Sequence, residues 1–204
     1  MLFCFAIFFF SLPMQAPADK LIIITAPSGA GKTSITRHLL KVFPDRLGFS
    51  ISACTRAPRS NEKNGVDYYF ITMDEFKQKI QHNEFVEWEM VYEGKYYGTL
   101  KSELQRNWKE HKIPLLDIDV KGAIHVQQQF PASALLLFID PPSLEELKHR
   151  LESRGTETLE SLQTRINKAS YELSFKDQFD RCIVNDKLER ACLEAENIVR
   201  KFLK

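Results

Sequence analysis

The stretch from Leu21 to Thr33 constrains the fold more than any other part of this chain. It joins an apolar, β-branched run at residues 21–25 to the segment Ala-Pro-Ser-Gly-Ala-Gly-Lys-Thr at residues 26–33, and a helical pattern follows. A buried strand, a glycine-rich loop and a helix in that order form the context of a phosphate-binding P-loop. Because the flanking elements match as well as the short motif, we prefer this interpretation to a glycine-rich turn with an incidental lysine.

The residue types in this segment suit a phosphate chain. Gly29 and Gly31 let the backbone curl so that successive N–H groups face phosphate oxygens, and the helix that opens near Lys32 adds the positive end of its dipole. Lys32 is predicted to reach the β- and γ-phosphates, and the Thr33 hydroxyl to bind Mg²⁺. The usual first glycine is Ala26 here, and a small residue is expected to suffice. The predicted phosphate-chain residues are Ala26, Pro27, Ser28, Gly29, Ala30, Gly31, Lys32, Thr33 and Ser34.

Strand and helix patterns alternate past residue 20. Apolar runs predict core strands at 21–25, 48–54, 113–119, 135–140 and 182–185. Helical patterns follow at 33–42, 72–83, 99–111, 143–153, 158–175 and 186–203. This alternation predicts an α/β fold of the P-loop NTPase type, in which a parallel sheet is flanked by helices.

Two segments break the alternation. Residues 51–98 contain short strands and a hairpin around Glu93-Gly94, which predicts an inserted mixed-β lobe over the nucleotide cleft. Residues 154–176 are charged and weakly apolar, which predicts a mobile helical lid. We expect one domain over residues 20–204 that includes both segments.

Composition narrows the possible partners. A chain of 204 residues with net charge +1 is expected to form one domain, and no global field favours nucleic acid or an anionic membrane. The cysteines have neither a C-x-x-C pair nor metal-ligand spacing, so we interpret them as reduced thiols of a cytoplasmic protein. They are Cys4, Cys54, Cys182 and Cys192.

The first residues do not fit that cytoplasmic picture. Residues 1–12 are almost entirely apolar, and Ala16-Pro17-Ala18 follows, as in a secretory signal, but no Lys or Arg precedes the run. The run is short for a membrane-spanning helix. We prefer a non-functional extension over residues 1–19, with Met14 as the true start, to a signal, an anchor or an extra packing segment.

A second phosphate signal lies within the predicted lobe. Arg56 and Arg59 stand three residues apart in a loop stiffened by Pro58. Two guanidinium forks suit a phosphate monoester, although two solvated surface arginines would have the same spacing. Tyr68, Tyr96 and Tyr97 favour the phosphate site because phenolic donors complete a phosphate cage.

An ordered series of motifs closely resembles the guanylate kinase family from Leu21 to the C-terminus. The motifs lie at 49–59, 65–70 (Gly-Val-Asp-Tyr-Tyr-Phe), 84–88 (Glu-Phe-Val-Glu-Trp), 96–99 (Tyr-Tyr-Gly-Thr), 116–122 (Leu-Asp-Ile-Asp-Val-Lys-Gly), 141–143, 154–156 and 184–186. The resemblance implies a P-loop kinase that moves the γ-phosphoryl group of ATP to GMP or dGMP with Mg²⁺. We expect small-molecule partners only, and a monomer or weak homodimer.

The same resemblance implies roles for individual residues. The GMP phosphate would be held by Arg56, Arg59, Tyr68 and Tyr97, with Glu62 orienting the arginines. The guanine would be surrounded by Ser52, Glu87, Thr99 and Asp119. Asp117 would lie near Mg²⁺ and its waters, and Asn185 near the ATP base or its loop. Arg150, Arg154 and Arg165 would approach either the transferring phosphoryl group or the ATP phosphates from the lid side.

Two other functions remain open from the residues. One is a kinase for another nucleoside monophosphate, against which Glu87 and Ser52 argue. The other is a non-catalytic module that binds a phosphorylated peptide, against which the retained Lys32 and Thr33 argue. The chain departs from the family pattern at Cys54, where threonine is usual, and at Lys121, where glutamine is common; neither change removes a catalytic group.

Overall fold

The structure, a computed structural model, describes residues 20–153 and 159–204. The described strands are β1 (Leu21–Thr25), β2 (Leu47–Phe49), β3 (Ser52–Cys54), β4 (Tyr69–Phe70), β5 (Phe85–Tyr92), β6 (Lys95–Leu100), β7 (Ile113–Asp117), β8 (Ala134–Asp140) and β9 (Arg181–Val184). The described helices are α1 (Lys32–Val42), α2 (Met73–Gln81), α3 (Lys101–Lys109), α4 (Val120–Gln129), α5 (Leu144–Ser153), α6 (Leu159–Leu173) and α7 (Leu188–Phe202).

A parallel sheet with strand order β2-β7-β1-β8-β9 forms the centre of the fold. Strand β1 lies in its middle, where Ile22 pairs with Leu115 of β7 on one side and Leu135 of β8 on the other. Ligands of open parallel sheets bind beyond the carboxyl ends of the strands, where the strand order reverses. The loop after β1 lies at that point.

The side chains of β1 alternate between two apolar layers. Ile22 and Ile24 pack in a cluster with residues of α1, α5 and α7, whereas Leu21 and Ile23 pack in a second cluster with residues of α3 and α4. All of β1 is buried, as expected of a parallel strand covered by helices on both faces. Burial of each such side chain contributes roughly 1.5–3 kcal/mol to stability, so β1 is a rigid base for the loop that follows it.

A second, mixed sheet has the order β4-β3-β6-β5. Its strands β3 and β4 run parallel, while β6 runs antiparallel to both β3 and β5. It has its own small core, in which the rings of Phe76 and Phe85 stack 4.5 Å apart beside Ala53 and Leu100. The parallel sheet with flanking helices and the mixed sheet confirm the predicted fold class.

The prediction of a single strand at 48–54 is wrong. The chain forms β2 in the parallel sheet, crosses at Ser50 and Ile51, and forms β3 in the mixed sheet. The Ser50 amide still donates to Leu115 of β7 (3.0 Å), but the next amide, that of Ile51, donates to the buried carboxylate of Glu103 on α3 (2.9 Å). Apolar patterning does not reveal such a change because the residues on both sides of the crossing are buried.

Glu103 ties the crossing to both sheets. Its carboxylate also accepts hydrogen bonds from the Tyr69 hydroxyl of β4 (2.9 Å) and from Arg106, which in turn donates to the Phe49 carbonyl of β2 (2.8 Å). A buried carboxylate is stable only when such partners compensate for its lost hydration. The joint between the sheets is therefore specified by side chains.

Local signals in the predicted helices agree with the structure. Thr72 and Glu75 form a capping box at the start of α2, within the helix predicted at 72–83. In α7, which covers most of the helix predicted at 186–203, Cys192, Ala195 and Val199 are buried, but Leu188, the first residue of the helix, is exposed. Within the described residues, no helix has the length and apolarity needed to cross a membrane, and Cys54, Cys182 and Cys192 are free thiols.

Candidate active site

The loop between β1 and α1 has the backbone shape that a phosphate chain requires. Gly29 and Gly31 both have φ of 98°, in the left-handed region that favours glycine. Gly31 caps α1 without a side-chain hydrogen bond to the first turn. The first N–H groups of α1 therefore remain available to an anion, at the positive end of the helix dipole.

Lys32, the first residue of α1, forms an ion pair with Asp117 at the end of β7. It also donates to the Ile118 carbonyl (3.3 Å). Burial alone would lower the pKa of Lys32, but the Asp117 carboxylate outweighs burial and raises it. The lysine is therefore a permanent cation beside the phosphate loop.

Helix α6 approaches this loop from the other side of the cleft. The Arg165 guanidinium donates to the Ser28 hydroxyl of the loop (2.8 Å) and to the Tyr92 hydroxyl of β5 (3.3 Å). The predicted lid helix thus contacts both the phosphate loop and the mixed sheet. Arg154 lies outside the described residues.

Arg56, just after β3, is held in place by a carboxylate and by aromatic groups. Its guanidinium donates to both oxygens of Glu62 (2.6 and 2.7 Å) and to the Tyr97 hydroxyl (3.1 Å), and lies 4.9 Å from the Tyr68 ring centre. The hydrogen bonds from Arg56 hold the pKa of Glu62 below its ordinary value. Arg59 differs, since its side chain is 65% exposed at the rim.

Tyr68 adds a neutral donor between the two phosphate regions. Burial, aided by the negative charge of Asp117, raises the pKa of Tyr68 to about 12. The phenol therefore keeps its proton at neutral pH and is able to donate a hydrogen bond to an anion.

A buried carboxylate, Glu87 of β5, lies at the opposite end of the cleft. It is 7% exposed and accepts a hydrogen bond from the Thr99 hydroxyl of β6 (2.6 Å). Burial raises the pKa of Glu87 to about 7; the Thr99 hydrogen bond opposes this rise and the Asp119 charge adds to it. A Cβ on Gly122 would lie 2.6 Å from the Glu87 carboxylate, so glycine at this position of α4 leaves room for that carboxylate.

Asp119 closes this end of the site from the parallel sheet. It caps α4 by accepting a hydrogen bond from the Gly122 amide (2.9 Å). The predicted strand at 113–119 therefore stops at Asp117, and the second of its two terminal acids begins the next helix. Ser52 is buried on β3, paired with Thr99 across the mixed sheet.

One continuous cavity of about 270 Å³ joins the phosphate loop to the Glu87 end. Its lining includes most of the residues that the sequence singled out: Ala26, Pro27, Ser28, Gly29, Gly31, Lys32, Thr33, Ser34, Ser52, Arg56, Arg59, Tyr68, Glu87, Tyr97, Asp117, Asp119 and Arg165. Residues from both sheets and from α6 thus face a single space.

The other predicted residues with described positions lie behind or beside this cavity. Glu62 and Thr99 bond to Arg56 and Glu87, as described above. Asn185 donates to the buried Ala30 carbonyl (2.7 Å), and Arg150 donates to the Asn185 carbonyl (3.0 Å). Arg150 and Asn185 line a second, more open depression that shares Gly29, Gly31 and Ser34 with the cavity.

Sequence reasoning missed seven residues of the cavity: Glu89, Val91 and Tyr92 on β5, Gly98 on β6, Ile118 just after β7, and Lys168 and Glu172 on α6. Lys168 and Glu172 follow Arg165 by three and seven residues, and this spacing puts all three on one helix face. That periodicity was present in the sequence and could have identified them. Burial raises the pKa of Glu172 to about 7, although Lys168 and Lys32 oppose the rise.

Comparisons with known proteins agree with this geometry. The guanylate kinase family model matches residues 18–202. A guanylate kinase of Bacteroides thetaiotaomicron is 44% identical over 98% of this chain and 97% of its own length, and one of Porphyromonas gingivalis is 46% identical over 90% and 98%. A crystal structure of guanylate kinase from Anaplasma phagocytophilum superposes with a TM-score of 0.72, at 28% identity, over 90% of this chain and 86% of that one. The chain thus belongs to the guanylate kinase family.

Proposed function

We propose that the chain transfers the γ-phosphoryl group of ATP to the phosphate of GMP, giving ADP and GDP, and that dGMP is also accepted. The observation that carries the proposal is the single cavity described above. At one end it offers main-chain N–H groups and Lys32; at the other it offers a fixed guanidinium and a buried carboxylate. Phosphoryl transfer needs two anionic substrates aligned in one space.

The phosphate loop and Lys32 would hold the triphosphate of ATP. An oxygen of the GMP phosphate attacks the γ-phosphorus while the bond from that phosphorus to the β,γ-bridging oxygen breaks. The acceptor is already an anion, so no general base is needed. The protein's contribution is alignment and compensation of charge on the γ-oxygens, which Lys32 and Arg165 would supply.

Mg²⁺ fits the donors at the phosphate loop. The Thr33 hydroxyl and the Asp117 carboxylate both face the cavity, and Mg²⁺ prefers oxygen ligands shared between a few side chains and substrate phosphates. When bound, it would neutralise charge on the β- and γ-phosphates. We assign Thr33 as a direct ligand and Asp117 as a partner through water.

Arg56 would receive the GMP phosphate because its fork is already oriented by Glu62. Tyr68 and Tyr97 would donate from their hydroxyls, and Arg59 would join from the rim. Arg150 would approach the ATP side, while Asn185 would keep the loop backbone in shape through its bond to Ala30.

Glu87 would select guanine. The pairing edge of guanine presents N1–H and the 2-amino group as neighbouring donors, and one carboxylate accepts both. Adenine would place an acceptor nitrogen against the buried carboxylate, which would then lack its partner, and such a mismatch discriminates strongly. Ser52, Thr99 and Asp119 complete the surroundings of the base.

A substrate panel tests the proposal. ADP formation from ATP is measured with GMP, dGMP, AMP, UMP and dTMP as acceptors; we expect kcat/KM for GMP to exceed that for AMP by at least about 100-fold. Faster turnover of AMP, UMP or dTMP than of GMP would reject the assignment of guanine as the base. If no acceptor supports ADP formation, the proposed kinase activity is rejected.

Two variants on the same helix test the phosphate loop. Lys32→Ala is expected to lower kcat by about 100-fold or more while the melting temperature stays close to that of the wild type. Lys41→Ala removes an exposed lysine from the same helix and should leave kcat unchanged. Near-normal turnover of Lys32→Ala would show that the loop is wrongly assigned.

A further inference from the structure

One lysine of α6 joins three parts of the site, although no motif singles it out. The Lys168 ammonium donates to the Val91 carbonyl of β5 (3.2 Å) and lies 4.9 Å from the centre of the Tyr92 ring. It also lies 3.8 Å from the Asp119 carboxylate and 3.6 Å from that of Glu172. The side chain is 22% exposed, so water weakens these contacts only in part.

The partners of Lys168 belong to separate elements. Val91 and Tyr92 are on β5, the strand of the mixed sheet that carries Glu87; Asp119 caps α4 beside the parallel sheet. Glu172 is on the same helix as the lysine. The contacts to β5 and to Asp119 therefore exist together only when α6 lies against both the mixed sheet and the carboxyl end of β7.

Arg165, one turn earlier, shares the contact with Tyr92 of β5 but otherwise connects to a different part of the site. It also donates to Ser28 of the phosphate loop, whereas Lys168 contacts Val91 and Asp119. The same face of α6 thus carries one cation directed to the ATP end of the cavity and one directed to the guanine end. Movement of the helix would make or break both sets of contacts.

The charges around Lys168 favour the arrangement in which these contacts form. Glu87, Asp119 and Glu172 all line the cavity, and the Asp119 charge contributes to the raised pKa of the other two, so their ionised forms repel each other. Lys168 is the cation that lies within ion-pair distance of two of them. Without it, closing α6 would bring Glu172 towards Asp119 with less compensation.

We propose that Lys168 is a positioning residue that couples closure of α6 over ATP to closure of the mixed sheet over GMP, so that each nucleotide strengthens the binding of the other. Coupling of this kind is reciprocal, since two ligands that favour the same closed state must help each other equally. The proposal rests on the proposed function, because it assigns the two ends of the cavity to those nucleotides.

Calorimetry tests the coupling. The Kd of GMP is measured alone and with a saturating non-hydrolysable ATP analogue, AMP-PNP, with Mg²⁺ in both experiments. We expect AMP-PNP to lower the Kd of wild-type GMP binding at least fivefold. The coupling is expressed as the ratio of the GMP Kd without AMP-PNP to the GMP Kd with it. In Lys168→Met, which keeps the apolar stem, this ratio should fall below twofold, while the Kd of GMP alone changes by less than twofold.

Two further variants separate coupling from a loss of structure. Lys168→Arg retains the cation and should keep a ratio of at least threefold. Lys148→Met removes an exposed lysine of α5 that pairs with Glu152 (3.9 Å) and should behave like the wild type. A ratio of one in the wild type, an unchanged ratio in Lys168→Met, or an equal loss in Lys148→Met would overturn the proposal.

Turnover distinguishes the two levels of the assignment. Wild-type formation of ADP from ATP and GMP is measured first. If GMP is not phosphorylated, the proposed function fails and the coupling fails with it. If GMP is phosphorylated but AMP-PNP leaves its Kd unchanged, only the role of Lys168 is overturned.

Discussion

Asn185 occupies the space in which a side chain on Gly31 would have to lie. Its amide nitrogen donates to the Ala30 carbonyl (2.7 Å), and a Cβ built on Gly31 would be 2.2 Å from that nitrogen. The backbone of Asn185 is itself fixed, since its main-chain N–H donates to the Asp140 carbonyl (2.8 Å) and its main-chain carbonyl accepts from Arg150 (3.0 Å). The residue that follows the last strand of the sheet therefore sets the shape of the phosphate loop.

Gly31→Ala should nearly abolish turnover. The new methyl group meets a fixed amide, and φ of 98° is unfavourable for alanine, so the loop must move away from its phosphate-binding shape. A displacement of about 1 Å at a reacting centre costs about 100-fold in rate, and we expect at least that loss in kcat/KM.

Gly94→Ala is the matched control for this prediction. Gly94 has φ of 66°, but a Cβ there would meet nothing within 4 Å. It should lose about 1–2 kcal/mol of stability and keep its activity. Equal activities of the two variants, measured by ADP formation, would show that Asn185 does not constrain the loop.

Glu62→Gln should weaken GMP binding with little effect on ATP. Glu62 holds Arg56 by two charge-assisted hydrogen bonds (2.6 and 2.7 Å), and an amide accepts only one strong bond of this kind. We expect KM for GMP to rise about tenfold, which corresponds to about 1.4 kcal/mol, while KM for ATP changes little.

Glu110→Gln provides the comparison for Glu62→Gln. Glu110 pairs with Arg106 at 3.3 Å at the exposed C-terminal end of α3, and neither residue belongs to the cavity lining. Exposed pairs of this type contribute little, so steady-state kinetics should not change. A rise in KM for GMP of the same size in both variants would argue against pre-orientation of Arg56 by Glu62.

Local sequence explains why the fold class and the phosphate loop were predictable. Gly29, Gly31 and Lys32 are neighbours in the chain, and the strand before them is apolar on both faces, so the motif and its context are read from thirteen consecutive residues. The pairing of Thr72 with Glu75 is likewise a signal within one turn. Such features depend little on the rest of the molecule.

Features that depend on distant partners were not predictable in this way. The break at Ser50 and Ile51 is determined by Leu115 and Glu103, which lie on other elements. The position of Lys168 beside Asp119 requires α6 to pack across the cleft. Its helical spacing from Arg165 was readable, but the surface that it faces was not.

The pH dependence of GMP use should reflect Glu87. Burial raises the pKa of its carboxyl to about 7, and guanine binding requires the ionised form as a double acceptor. In the free enzyme, kcat/KM for GMP should therefore fall as the pH drops below about 7, by up to tenfold per pH unit. The GMP phosphate has a second pKa of about 6, by analogy with other phosphate monoesters, and its protonation should lower kcat/KM further below that pH.

Glu87→Gln separates the titration of Glu87 from that of the GMP phosphate. The kcat/KM of this variant for GMP should be much lower at every pH and should show only the decline near pH 6, while KM for ATP stays close to that of the wild type. A profile for the variant that still bends near pH 7, or unaltered GMP kinetics, would exclude Glu87 as the titrating group.

Glu172→Gln should stabilise the ligand-free protein at alkaline pH. Burial raises the pKa of Glu172 from 4.5 to about 7, so the folded state disfavours the ionised form. The stability that the neutral carboxyl contributes is present below about pH 4.5 and is lost as the pH rises through 7. At pH 8 the free energy of unfolding lost through ionisation of Glu172 amounts to roughly 3 kcal/mol, which the uncharged glutamine recovers.

Thermal unfolding of Glu172→Gln should therefore show a melting temperature several degrees above that of the wild type at pH 8 and a much smaller difference at pH 5. Glu152→Gln, at an exposed position of α5, should match the wild type at both pH values; a gain for Glu172→Gln that is equal at pH 5 and pH 8 would mean that ionisation of Glu172 is not its cause.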